Sequence, residues 1–205
     1  MAGRPREFDR HQALRQALEL FWRRGFETTS MADLVAALGI ASARIYAAFG
    51  SKEALFREAI ELYESQEGGF ADLALQEPNA YLAIERMLQD AVALYTRPDG
   101  PRGCMVVASA VNCSSDNDSV REWLAEHRRA RTASIIQRLE AAVQAGELPR
   151  HSDATSLGDY YSMVLHGLSV QARDGVSAAR LLQGVALAMH CLLYTSDAAD
   201  DLLCV

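Results

Sequence analysis

Cys104, His127, His151, His166 and His190, together with 27 Asp and Glu side chains, supply the raw material for nucleophilic, acid–base or metal chemistry. Their spacing does not organise it. A hydrolase elbow, a metalloprotease helix, a P-loop and a dinucleotide fingerprint each need residues at fixed offsets on one turn or helix face, and GxSxG, HExxH, GxxxxGK[ST] and GxGxxG are all missing. No metal and no cofactor are expected, and enzyme is not the reading these residues support. Cys104 stands apart. It follows Gly103 at a helix start, where the dipole and free N–H groups activate a thiol, while Met105, Val106 and Val107 argue for a buried and inert one. Cys113 lies nine residues on, about 13 Å away by helical rise, too far for an intrachain disulfide. Cys104, Cys113, Cys191 and Cys204 form no CxxC pair, so the pattern is neither a zinc knuckle nor a disulfide scaffold, and a reducing compartment is expected.

The chain that must position any such residues has 205 of them, 50% hydrophobic and 23% charged, which excludes a disordered, collagen-like or rod-like protein. Charge is unevenly spread. Residues 1–52 carry eight Lys and Arg against five Asp and Glu, while residues 53–205 carry twelve against 22, giving a basic head on an acidic body. Only the head is then suited to a polyanion. No window approaches the roughly 18 apolar residues of a membrane span, and the opening MAGRPREFDRHQ lacks a signal peptide's apolar core, so a cytoplasmic protein with no membrane partner is expected.

Helical periodicity runs throughout, with no sustained alternation of period two, which predicts an all-α fold. Leu14, Ala17, Leu18 and Phe21 recur at helical spacing over residues 9–24, with Asp9 as N-cap and Gly25 as stop. Ser30 and Asp33 form a weaker capping box before Met31, Leu34, Val35 and Leu38, and Gly39 ends that short helix. A third helix spans about Ser42–Phe49. Gly50 breaks it, and Ser51 caps a fourth through Tyr63. Longer helices are expected from near Pro78 to the Arg97–Pro101 turn, over about Ser119–Ala145, Asp153–Ala172 and Ser177–Leu192, with an apolar run at Cys104–Val111. Phe8, Leu14, Phe21, Trp22, Phe26, Leu34, Leu38, Ile45 and Phe49 are expected to form the head's core. The expected division is a basic head at 1–51, a longer helical body at 52–191, and an atypical tail at 192–205.

Two short helices joined by Leu38-Gly39-Ile40-Ala41 make a helix-turn-helix candidate, whose second helix would enter the major groove. The elements Gly25-Phe26-Glu27-Thr28-Thr29, Leu38-Gly39-Ile40, Ile45-Tyr46-Ala47-Ala48-Phe49 and Ser51-Lys52-Glu53-Ala54-Leu55-Phe56 follow in order. Over about residues 8–60 the chain thereby closely resembles the amino-terminal domain of TetR-type transcriptional regulators, and its longer helical remainder is similar to that family's ligand-binding and dimerisation body.

The resemblance implies site residues. Thr28, Thr29 and Ser30 would start the second helix, where hydroxyls and free N–H groups bond a phosphate, although Ser30 can simply be a cap. Tyr46 and Lys52, the only lysine, match phosphate-contact positions; the alternatives are packing for Tyr46 and a solvated charge for Lys52. Base reading falls to Ser42, Ala43, Arg44 and Ala47. Arg44 can fork onto guanine O6 and N7 or grip phosphate, and Ala43 or Ala47 can touch a thymine methyl. Many relatives carry a small hydroxyl residue at the Arg44 position and a larger one at Ala47, so their base contacts do not transfer. Arg4 and Arg6 flank Pro5 in an arm suited to a minor groove or simply to water. In the body the resemblance implies a small-molecule effector pocket, with Met87, Tyr95, Cys104, Met105, Trp123, Tyr160, Met163 and His166 as candidates that could equally be ordinary core. It also implies a homodimer through the last two helices, where Gly158, Gly167, Ser169, Gly184, Ala186 and Ala188 permit close packing, and a double-stranded operator DNA as partner.

Overall fold

A computed structural model describes residues 9–110 and 117–197, so Arg4, Arg6, Phe8, Cys113, Cys204 and most of the expected tail lie outside the described residues. Ten helices follow one another: α1 (Arg10–Arg24), α2 (Met31–Leu38), α3 (Ser42–Phe49), α4 (Lys52–Ser65), α5 (Phe70–Ala74), α6 (Ala80–Tyr95), α7 (Met105–Ala110), α8 (Asp118–Ala145), α9 (Ala154–Arg173) and α10 (Ala178–Asp197). No strand occurs among the described residues.

The short helices of the head are set by their ends. Asp9 accepts from the Gln12 N–H, and Ser51 from the Ala54 N–H. The capping box is complete: the Ser30 hydroxyl accepts from Asp33 N–H while the Asp33 carboxylate accepts from Ser30 N–H. Gly39 stops α2 in the left-handed region, at φ 67°. Three features depart from expectation. The five-residue α5 has no capping side chain and is held by burial of Ala71 and Ala74. α6 begins at Ala80 with Asn79 as cap, because the Asn79 carboxamide accepts from Leu82 N–H. Finally, α10 runs past Leu192 to Asp197, since no Gly or Pro stands there to end it.

Two apolar cores result. One gathers Leu14, Phe21, Trp22, Phe26, Leu34, Leu38, Ile45 and Phe49 from the head with Leu55, Phe56, Ile60 and Tyr63 of α4, and it also takes Met105, Val106, Val120 and Leu124 from α7 and α8. The other packs α6 and the second half of α8 against α9 and α10. The Tyr161 hydroxyl donates to the Ala188 carbonyl at 3.2 Å and ties α9 to α10. A Cβ on Gly158 would strike the Ile136 side chain, so this glycine serves the α8–α9 approach inside one chain, and Ser169 and Ala188 are likewise buried. Of the small residues expected at a dimer face, Gly167, Gly184 and Ala186 are exposed. No single described helix is long and apolar enough to cross a membrane; α2 and α3 pass only as a pair bent by 94°.

Candidate DNA-reading head and effector cavity

α3 is divided lengthwise. Ile45 and Phe49 are buried in the head's core, and Ser42, Ala43, Arg44, Tyr46 and Ala47 are exposed on the other side. Tyr46 keeps 47% of its surface in water, more than a packing tyrosine needs. The half-buried Lys52, at the start of α4, places its ammonium 4.3 Å from the centre of the Phe26 ring, a cation–π contact that holds the side chain beside the α1–α2 turn. Thr28 is exposed, and its hydroxyl donates to the Arg24 carbonyl.

Thr29 departs from expectation. Its side chain is fully buried, and its hydroxyl donates to the Gly25 carbonyl at 2.7 Å, so it closes the turn after α1 and does not offer a donor to phosphate. The exposed Ser30 hydroxyl donates to Asp33 Oδ2 at 2.6 Å, so its proton is spent within the cap. Hydrogen bonds from the Ser30 hydroxyl and backbone N–H, then from Arg24, hold the Asp33 carboxyl down at about 2. The folded value lies below the unfolded one, so the contribution of this cap is complete above the ordinary carboxylate range and is lost only as pH falls toward 2.

In the body, a cavity of about 50 Å³ opens between α4, α6, α7, α8 and α9. Tyr63, Phe70, Tyr95, Cys104, Leu165 and His166 form much of its wall, and His127, Arg128 and Arg131 of α8 line it as well. Burial pushes the Tyr63 and Tyr95 phenols well up, so both stay neutral hydroxyls at any ordinary pH. Burial, reinforced by the Arg128 guanidinium, lowers the His166 imidazole and favours its neutral form. Tyr63 donates to Cys104 Sγ at 3.6 Å, and the Cys104 N–H donates to Ser169 Oγ at 2.8 Å. Two contacts tie this wall to α8: His127 Nδ1 lies 2.8 Å from a Glu64 carboxylate oxygen of α4, and Arg131 forms an ion pair with Asp72 of α5. The space suits a few waters, so a larger effector must part these helices.

Of the expected pocket residues, Tyr95, Cys104 and His166 meet at this cavity. Met87 is buried in the body core, and Met105 in the core shared with the head. Trp123 packs under Arg57 and edge-on to His127, one step behind the wall. Tyr160 turns to Tyr161 and Cys191. Met163 is 65% exposed and faces away from the cavity, because it lies on the side of α9 opposite Tyr161, Leu165 and Leu168. Two wall residues carry no signal of this role in the sequence: Tyr63 reads only as the end of the fourth helix, and Phe70 lies outside every expected helix.

Beyond the apolar core they share, the cavity wall and the head are joined by polar contacts at the end of α1. The Trp22 indole N–H donates to the Gly103 carbonyl at 2.9 Å, one residue before Cys104. Arg97 stacks 4.6 Å from the Trp22 ring, and Arg173 of α9 donates to the carbonyls of Trp22 and Arg23 at the end of α1. A cation at a helix C-terminus satisfies orphan carbonyls and meets the negative end of the dipole.

A core-anchored helix pair with an open second face, mounted on a helical body that holds a cavity, defines a helix-turn-helix regulator. Residues 13–59 match the family model described as bacterial regulatory proteins, tetR family, and residues 82–183 match that of the tetracyclin repressor-like C-terminal domain. The chain belongs to the tetR family of bacterial regulatory proteins, a family of DNA-binding transcriptional regulators and not of enzymes. It is 33% identical over 183 residues to the HTH-type transcriptional repressor ComR of Escherichia coli K12, covering 88% of this chain and 87% of ComR. It is 30% identical to the repressor BdcR of the same organism, covering 91% of this chain and 90% of BdcR. Among solved structures, a cysteine mutant of the TetR family regulator CifR, complexed with 26bp double-strand operator DNA, superposes with a TM-score of 0.87 at 39% identity, covering 91% of this chain and 98% of the CifR chain.

Proposed function

We propose that this chain is a cytoplasmic repressor that binds a pseudo-palindromic operator as a homodimer and leaves it when a small, largely apolar molecule occupies the body cavity. The observation that carries the reading is the division of α3, with Arg44 and Tyr46 exposed on a helix locked by Ile45 and Phe49. The repressor names of ComR and BdcR and the operator complex of CifR support it. Met163 and Val170 of α9 and Leu182 and Leu187 of α10 are exposed large apolar side chains, which a second protomer docked on this helix pair would cover. An effector can release DNA only if it binds better to the arrangement whose heads no longer fit the operator, so operator DNA must weaken the effector in the same proportion.

Band shifts on the DNA upstream of the protein's own gene test the reading. Arg44→Ala is expected to lower affinity for that operator by about ten- to hundredfold while leaving scrambled DNA unaffected, because each bidentate base contact is worth about 1–3 kcal/mol of discrimination. Lys52→Ala is expected to weaken both duplexes and to flatten the dependence on salt. Equal binding by wild type and both variants would defeat these assignments.

A second reading makes Cys104 the sensing group. Its favouring observation is position: half-buried on the cavity wall, with its thiol beside Tyr63 of α4 and its backbone one residue from the Trp22 contact. Alkylation of the intact protein by a mild thiol reagent is then expected to release the operator, and Cys104→Ser to be unresponsive. Slow modification, or release that persists in Cys104→Ser, would leave the residue a structural one.

A further inference from the structure

We propose that Arg10, paired with Glu58, is a positioning residue for the recognition helix: it holds the C-terminal end of α3 in register with the operator and does not itself grip the phosphate backbone. The inference rests on the reading that α3 enters the major groove. An exposed arginine at the start of α1 in a DNA-binding head invites assignment as a phosphate contact. Two of its three nitrogens are committed elsewhere. One Nη lies 2.8 Å from both carboxylate oxygens of Glu58 on α4, Nε donates to the Ala48 carbonyl of α3 at 3.2 Å, and the guanidinium sits 4.4 Å from the centre of the Phe49 ring. The Ala48 carbonyl belongs to the last turn of α3, where no helical N–H is available to it and where a cation meets the negative end of the dipole.

α3 needs this hold more than its neighbours do. It has eight residues, its N-cap Ala41 offers no capping side chain, and only Ile45 and Phe49 are buried. By contrast α2 starts in a capping box and α4 on Ser51. Two buried side chains set the depth of a two-turn helix but constrain its tilt weakly. Arg10 adds a third point at the C-terminal end, and Glu58 anchors that point to α4. Base readers on such a helix must be placed within about half an ångström to keep bidentate geometry.

The two roles predict opposite signs for Glu58. If Arg10 grips phosphate, Glu58→Ala frees the guanidinium and removes a charge that repels DNA, so binding tightens on every sequence. If Arg10 holds α3, Glu58→Ala loosens the recognition helix, and operator affinity falls about tenfold, as for loss of one charge-assisted hydrogen bond, while affinity for unrelated duplex does not fall. Fluorescence anisotropy on an operator duplex and on a scrambled duplex of equal length, over a range of salt, separates them. Arg10→Ala and Glu58→Ala are each expected to cut the specific-to-nonspecific ratio about tenfold with wild-type salt slopes, and the double variant to cut it no further. Arg10→Lys keeps the cation but lacks the fork, and is expected to match Arg10→Ala in that ratio; it carries the test should the alanine variants fail to fold. Tighter binding by Glu58→Ala, a flattened salt slope in Arg10→Ala, or a wild-type ratio in Arg10→Lys overturns the inference alone. A wild type without preference between the two duplexes removes its premise as well.

Discussion

Leu187→Asp is expected to give a folded monomer that no longer holds the operator. Leu187 is 70% exposed on α10, more than any other large apolar side chain among the described residues, so a carboxylate there costs little in an isolated subunit. Across a two-fold interface the same change buries two like charges in an apolar contact, which is prohibitive. Loss of the dimer turns one bivalent encounter into two independent ones. The second half-site then loses its effective concentration, and operator affinity should fall by about 10²–10⁴ without any change in the heads. Sedimentation of the variant together with anisotropy on the operator checks both parts. A variant that stays dimeric, or a monomer that binds as tightly as wild type, would show that α10 is not the interface.

Trp22→Ala is expected to be the most damaging single truncation in the head, lowering stability by about 3–5 kcal/mol in urea melts, as is typical of large-to-small changes at a fully buried aromatic. Trp22 is 0% exposed, packs edge-on to Tyr63 at 4.7 Å and supplies the N–H that satisfies the Gly103 carbonyl. Trp22→Phe separates packing from hydrogen bonding. It retains a ring against Tyr63 but leaves a buried carbonyl without its donor, a cost of about 1–3 kcal/mol. If α7 transmits cavity occupancy to the head through this contact, Trp22→Phe should also reduce the effect of an effector on operator binding. A phenylalanine variant as stable as wild type would mean that the indole N–H contributes nothing.

What the sequence determined by itself lies within reach of a single helical turn. Asp9, the Ser30–Asp33 pair, Gly39 and Ser51 mark helix ends because capping bonds join residues three or four apart, and those bonds are present. The exposure of Arg44 and the burial of Ile45 and Phe49 likewise follow from period alone once α3 is placed. Tertiary structure decided the rest. Periodicity says that Met163 and Tyr63 each lie on a helix but not which neighbour either one meets; packing turned Tyr63 into the cavity and Met163 toward water. Thr29 stands in a run of three hydroxyl residues, and only the fold of the α1–α2 turn directs its donor inward to Gly25. The sharing of Met105 and Val106 with the head's core, the indole bond from Trp22 to Gly103 across 81 residues, and the hold of Arg10 on Ala48 across 38 depend on distant segments meeting. A one-dimensional pattern encodes which face of a helix is apolar, whereas the partner of that face is chosen by the summed packing of all ten helices.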